Sequence, residues 1–298
     1  MPARHNALAV LIAAVWGVNF VVIHVGLEHF PPLLFSALRF TFVALPAVFL
    51  VGRPRVAWRW VIAVGGSLGV LSFGLLFVAI DQGMPAGLSS LVLQTQVIFT
   101  VAFAALTLHE RPRRGQIIGA AIALAGLAVI AIDRASSAPL GPFVLVVAAA
   151  AAWGVSNVCT RVAQPPDGLA LMVWASLVAP LPLLALSLAF EGPGEIGGAL
   201  GGLDLGGIGA LAYIVGPSTL FGFAAWSGLL RRYPTASVAP FTLLVPVFGI
   251  AAAALTLGEQ PSAAELVCGV VVIVGLLYGV SRPRSQRAYG SVAPARAS

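Results

Sequence analysis

Ten apolar runs divide this chain, each close to 20 residues long and each bounded by Gly, Pro or charge. They fall at approximately 7–27, 33–52, 60–80, 85–108, 115–132, 142–163, 168–190, 207–230, 235–257 and 263–281. A run of that length, wound as an α-helix, crosses the hydrocarbon core of a bilayer. In hydrocarbon only helices and closed barrels satisfy their own backbone polar groups. The expected fold class is therefore an all-α integral membrane protein with ten transmembrane helices. Composition agrees: 9% of the residues are charged, against about 25% in a typical soluble domain. Most connections are shorter than ten residues, so consecutive helices should be neighbours. The stretch 191–206, with Glu191, Glu195 and Asp204 among glycines, reads as an exposed loop, and 282–298 as a basic disordered tail.

The basic residues report orientation. All 16 are Arg. With the N-terminus inside, 14 of the 16 lie on the inner side, Arg134 lies outside and Arg39 lies within the second run. An excess of positive charge on the cytoplasmic side is the rule for inner-membrane proteins, so both termini are expected in the cytoplasm. Arg placed in short loops is a topology signal, and no nucleic-acid partner is expected despite the pI near 10.3. Trp58, Trp60 and Tyr233 stand at run ends as interfacial anchors. Cys159 and Cys268 lie inside runs and imply no disulfide framework. Arg4 followed by an apolar run resembles a signal peptide. That run, however, ends in His24, Glu28, His29 and Pro31-Pro32 without a small-x-small cleavage site, and it reads as the first helix.

The chain repeats itself. Ala14-Val15-Trp16-Gly17-Val18-Asn19 returns as Ala152-Trp153-Gly154-Val155-Ser156-Asn157. Ala105-Leu106-Thr107-Leu108-His109-Glu110-Arg111-Pro112 returns as Ala254-Leu255-Thr256-Leu257-Gly258-Glu259-Gln260-Pro261. Each half holds five runs, and an odd number means the second copy enters the membrane upside down. The flanking charges fit: Arg113-Arg114 follow the first copy, Ser262 and Glu265 the second. Two inverted-topology repeats around a central cavity are expected, with residues 1–137 as the first and 138–281 as the second.

This layout, the paired Trp-Gly stretches and the Leu-Thr-Leu-x-Glu-x-Pro ends of the fourth and ninth runs resemble the drug/metabolite transporter superfamily in its EamA-type branch. Within it, the chain is most similar to the YddG-type bacterial exporters of aromatic and other neutral amino acids. The resemblance covers residues 7–281. It implies an inner-membrane exporter whose cavity is built from helices 1, 3, 4, 6, 8 and 9.

The polar groups inside the runs are the candidate site. A buried amide in hydrocarbon costs several kcal/mol when unpaired, so each should face protein or a watery cavity. Helical spacing puts Trp16, Asn19 and Phe20 on one face of the first run, and the sixth repeats the pattern with Trp153 and Asn157. Gln94 and Gln96 form the densest polar cluster, but 200° of helical rotation separates them, so one should face the cavity and the other a neighbouring helix. Their counterparts Leu243 and Val245 are apolar, which favours function for at least one glutamine. Ser72, Phe73, Phe77, Tyr213 and Phe241 complete the expected substrate-binding set. Gly216, Pro217, Pro240 and Pro246 are candidate hinges, because proline frees a backbone carbonyl and bends a helix. The competing reading for all of them is ordinary helix packing, to which Gly65-x-x-x-Gly69, Gly115-x-x-x-Gly119 and Gly275-x-x-x-Gly279 also belong.

Arg39 would be an attractive partner for a substrate carboxylate. It sits a turn or two from the outer end of its run, though, and the resembled cavity does not use helix 2. It is therefore assigned a structural role, with Asp81, Glu28 or helix-end carbonyls as partners. His24 is the candidate titratable group within a span. Glu110 and Glu259 should cap or pair at helix ends.

The expected function is secondary export of small neutral metabolites, aromatic and other neutral amino acids foremost, by alternating access through an uncharged cavity. Multidrug transport, or sugar- and nucleotide-sugar-type metabolite transport by the same fold, is the alternative. An intramembrane enzyme would need paired acids, a Ser–His arrangement or a metal set in the spans; no acidic pair sits within a run, and His5, His24, His29 and His109 do not pair at ligand spacing on a helix. Without Lys no nucleotide-binding Walker loop can exist. No cofactor or metal is expected. The expected partners are a small-molecule substrate and the bilayer, with the protein a monomer or weak dimer.

Overall fold

The computed structural model describes residues 1–135 and 139–280; the expected tail 282–298 and the boundary between the repeats lie outside the described residues. Every regular element among them is helical. In chain order the long helices are α1 (Ala3–Leu27), α2 (Pro32–Leu50), α3 (Trp58–Asp81), α4 (Ala86–Leu108), α5 (Arg114–Ala135), α6 (Gly141–Ala163), α7 (Gly168–Phe190), α8 (Leu205–Arg232), α9 (Ala239–Thr256) and α10 (Ala263–Val280). Among the described residues nine of them, α1–α9, are long and apolar enough to cross a membrane; α10 is apolar but shorter. The first run is thus a helix of the bundle. The expected loop 191–206 contains a short helix, Gly192–Gly201. Glu191 before it is no loop residue: its carboxylate accepts the Leu33 and Leu34 N–H groups at the start of α2, donors that a helix N-terminus leaves unpaired.

The outside of the bundle is apolar. Phe49, Leu106 and Leu255 are 84%, 73% and 86% exposed. Such a surface would drive association in water, and lipid is the medium it fits. Inside, the hydroxyls of Thr41, Ser67, Thr100 and Ser176 donate to carbonyls four residues back on their own helices, which removes them from the ledger of unpaired buried groups.

Two pairs of glycines fix how closely the helices cross. A Cβ on Gly17 would lie 2.6 Å from Phe248 Cβ and 2.7 Å from the Val245 carbonyl oxygen; one on Gly154 would lie 2.7 Å from Phe99 Cβ. The two Trp-Gly stretches therefore do the same work: they seat α1 against α9 and α6 against α4. The second pair joins α5 to α10. A Cβ on Gly275 would lie 2.7 Å from the Gly119 carbonyl oxygen and 2.9 Å from the Ala123 nitrogen. The Gly-x-x-x-Gly stretches thus pack helices of the same chain.

Four helices depart from α geometry, α3, α4 and α8 within their length and α9 in its first turns. α3 is π-helical over Gly65–Phe73 and α8 over Ile214–Phe221. α4 narrows to 3₁₀ at Leu93–Thr95 and α9 at Ala239–Leu244. The candidate hinges fall here: Gly216 and Pro217 inside the π turn of α8, Pro240 in the 3₁₀ turn of α9, and Pro246 just after it. The π segments begin at Gly65 and Ile214, the register that also aligns Glu110 with Glu259.

A side chain forced into the α5–α10 crossing should separate two backbones, at a cost of roughly 1–3 kcal/mol or more. Gly119→Val is expected to lower the melting temperature in detergent by several degrees. Gly66→Ala, where a Cβ meets nothing within 4 Å, should leave it unchanged. Equal melting of the two variants would show that the crossing is looser than described.

Candidate functional site

The four irregular segments converge on one cavity. It encloses about 110 Å³ accessible to the centre of a water molecule. One water needs roughly 10–15 Å³ on that measure, so the space suits a small organic molecule rather than a single solvent molecule. α1 supplies Trp16, Asn19 and Phe20; α3 supplies Phe73 and Leu76. α4 contributes Leu93, Gln94 and Gln96, and α6 contributes Trp153. Ser218 and Phe223 come from α8, Thr242 and Val245 from α9, and Arg39 from α2.

The breaks in α4, α8 and α9 each present a polar group. In the π turn of α8 the Ser218 carbonyl accepts the Trp16 indole N–H at 2.9 Å, and the Thr219 hydroxyl donates to Ile214 five residues back at 2.7 Å. A wide turn leaves its carbonyls less committed to the helix than a regular one does, a habit of π segments at functional sites. Across the cavity, the Gln94 amide donates to the Thr242 carbonyl in the 3₁₀ turn of α9 at 2.7 Å. Gln96 accepts from the Asn157 amide at 2.6 Å, and Asn157 donates also to Thr100 at 3.0 Å. These bonds hold the break in α4 to α9 on one side and to α6 on the other.

Seven of the twelve expected binding residues line this cavity: Trp16, Asn19, Phe20, Phe73, Gln94, Gln96 and Trp153. The other five lie elsewhere. Phe77 is fully buried in the core, and Ser72 is buried without lining the cavity. Tyr213 donates its hydroxyl to the Val15 carbonyl. Asn157 is engaged with α4, and Phe241 packs beside Ala9, Ile12, Leu229 and Val238. His24 is partly exposed near the end of α1, off the cavity wall.

Two expectations need correction. Gln94 and Gln96 both reach the cavity, although regular α geometry would set them on opposed faces. The 3₁₀ turn at Leu93–Thr95 rotates about 120° per residue, which brings the pair nearer one face, and long amide side chains cover the rest. Nor is the cavity uncharged. Arg39 lines it, so helix 2 takes part. Its guanidinium donates from Nη2 to the Thr219 hydroxyl at 3.1 Å and stacks 4.0 Å over the Phe73 ring, and neither Asp81 nor Glu28 is among its partners. Phe73 in turn tilts against Trp153 with ring centroids 5.5 Å apart. The signal for Arg39 was present in the sequence as a lone charge in an apolar run, and its short distance from the helix end disguised it.

The two ends of the bundle differ. At the end holding Glu259, the first half of α4 packs on the second half of α9. The Glu259 carboxylate closes that seam, accepting the Ala86 and Gly87 N–H groups at 2.7 and 3.1 Å. Its repeat partner Glu110, at the arginine-rich end, forms a two-point ion pair with Arg161 at 2.8 Å. There the second half of α4 packs on α6, and the first half of α9 packs on α1.

Residues 4–132 and 141–280 match the EamA-like transporter family. A protein of Salmonella typhimurium described as a probable amino-acid metabolite efflux pump is 41% identical over 96% of this chain and 98% of its own length. An Escherichia coli K12 protein of the same description is 38% identical over 97% and 98%. A probable terminal-alkyne amino-acid exporter of Streptantibioticus cattleyicolor is 29% identical over 90% of both chains. One solved crystal structure superposes over 98% of this chain and 100% of its own with a TM-score of 0.62 and 20% identity, a likeness of fold alone.

Proposed function

The chain belongs to the EamA-like transporter family, a branch of the drug/metabolite transporters, and from that premise we propose that it exports aromatic and other neutral amino acids from the bacterial cytoplasm through the central cavity. The observation that carries this reading is the wall itself. Trp16, Phe20, Phe73, Trp153 and Phe223 offer apolar faces, and Asn19, Gln94 and Gln96 offer amides among them. An amino acid with an apolar side chain matches both. The relatives from Salmonella and E. coli, probable amino-acid metabolite efflux pumps, support the same class. A phosphorylated substrate would call for clustered Arg, and the cavity holds one.

The export mechanism proposed is alternating access by two inverted five-helix repeats, 1–137 and 138–281, in an inner-membrane protein of ten spans with cytoplasmic termini. The matched positions of the π and 3₁₀ segments in the two halves support the repeat. Breaks in α3, α4, α8 and α9 are where each half can bend without losing buried hydrogen bonds. The seam that Glu259 closes then faces outside, and the arginine-rich end is the one through which a cytoplasmic substrate enters. A carboxylate at a helix N-terminus is doubly favoured, by the hydrogen bonds and by the helix dipole. In the opposite state the seam at Glu259 opens.

Counterflow in proteoliposomes tests the substrate class. Labelled phenylalanine or threonine should enter vesicles loaded with the same unlabelled amino acid, with no pH gradient, well above empty liposomes. Asn19→Leu and Gln94→Leu should each cut that uptake at least fivefold at normal folded yield. Failure of folded wild-type protein to take up either amino acid would remove amino acids from its substrates.

The seam has its own test. Hydrogen bonds to a charged group contribute roughly 1.5–3 kcal/mol each, so losing both in Glu259→Ala should move the balance about a hundredfold or more towards opening. In protein lacking Cys159 and Cys268, thiol labelling of Ser90→Cys, buried beneath the seam beside Gly249, should accelerate by about that factor. An unchanged labelling rate would mean that Glu259 does not hold this end shut.

A further inference from the structure

Two unpaired polar groups of complementary kind face the same cavity. Arg39 is 2% exposed, and its Nε and Nη1 have no hydrogen-bond partner. Asn19 is 5% exposed, and its Oδ1 likewise has none. Both residues line the cavity. Buried polar groups in folded proteins are almost always paired, so two orphans around one space ask for a ligand. One orphan is a cation with two free donors; the other is an acceptor.

The remaining contacts explain how Arg39 is held ready. Thr219 cannot satisfy the charge: its hydroxyl proton is committed to the Ile214 carbonyl, and it offers Nη2 a single neutral acceptor. Phe73 lies flat beneath the guanidinium at 4.0 Å and Phe40 flanks it at 5.5 Å. This leaves the fork oriented by one hydrogen bond and one stacked ring, with an edge uncommitted. A planar guanidinium with free donors recognises a carboxylate through paired N–H···O bonds. A lone carbonyl oxygen such as Asn19 Oδ1 accepts from an ammonium.

We propose that Arg39 binds the α-carboxylate of the substrate and that Asn19 Oδ1 accepts a hydrogen bond from its α-ammonium, so that the cavity reads the zwitterionic head of an amino acid. The proposal rests on the amino-acid reading above and deepens it. Arg39 and Asn19 come from α2 and α1, while the rings of Trp16, Phe20 and Trp153 are left to the side chain. The head is thus read by polar groups and the side chain by a tolerant apolar wall, which predicts strict demands on the head and loose ones on the side chain.

Competition against labelled phenylalanine in the counterflow assay separates these claims. The competitors are phenylalanine, phenylalaninamide and 2-phenylethylamine, which lack the carboxylate in two ways, and 3-phenylpropanoate, which lacks the ammonium. In wild-type protein each of the three analogues should compete at least tenfold more weakly than phenylalanine. Arg39→Gln should weaken phenylalanine at least tenfold and leave phenylalaninamide unchanged, erasing the preference; Arg39→Lys should retain part of it. Asn19→Leu should erase the preference over 3-phenylpropanoate alone. Variants are compared at matched melting temperature, and if Arg39→Gln does not fold, the wild-type competitor series decides. Wild-type protein that accepts phenylalaninamide as readily as phenylalanine, or a folded Arg39→Gln with the wild-type ratio, would overturn the assignment of Arg39 while leaving amino-acid export standing. Absence of uptake of any amino acid by the wild type would overturn both together.

Discussion

Inside a membrane a helix that leaves regular hydrogen bonding must find partners for its freed groups within the protein, because lipid offers none. This constraint shapes the centre of the molecule. α3, α4, α8 and α9 all break, and they break towards one another. The freed carbonyls are taken by side chains that the neighbouring helices deliver: Ser218 by the Trp16 indole, Thr242 by the Gln94 amide. A cavity with polar edges is what remains when four broken helices satisfy each other incompletely. The unpaired Asn19 and Arg39 mark where the satisfaction stops.

The rest of the bundle holds this centre in place. Gly17 and Gly154 bring α1 onto α9 and α6 onto α4 at backbone contact, and the residues beside them, Trp16 and Trp153, both line the cavity. A wider crossing would pull the two indoles out of register with the breaks they serve. Glu259 and Glu191 work at the periphery, each covering bare N–H groups at the start of a helix, α4 and α2 respectively. The two repeat-related acids are used differently, one on a helix end and one in an ion pair with Arg161.

Much of this was legible in the sequence because hydrocarbon allows few alternatives. The apolar runs became helices with ends within a few residues of those expected, and the Trp-Gly repeat marked both close crossings. Trp16, Asn19 and Phe20 followed from helical spacing, and Trp153 from the repeat of that pattern. What escaped were features that depend on local departures from that spacing. Gln94 and Gln96 share the cavity because a 3₁₀ turn sits between regular turns, and the apolar neighbours of that turn carry no signal for it. Phe77 and Tyr213 were expected on the wall; Phe77 follows the π turn of α3, which shifts the residues after it around the helix, and Tyr213 directly precedes the π turn of α8. Arg39 was misplaced for another reason. A long side chain reaches well beyond its own helix position, so closeness to a helix end in sequence said little about where the charge lies.

The most direct measurement is a structure determined with phenylalanine at saturating concentration. The amino acid should lie between Trp16 and Trp153, enclosed by the irregular turns of α4, α8 and α9. An empty cavity under those conditions, or phenylalanine bound elsewhere on the protein, would contradict the central role given to the space between the four broken helices.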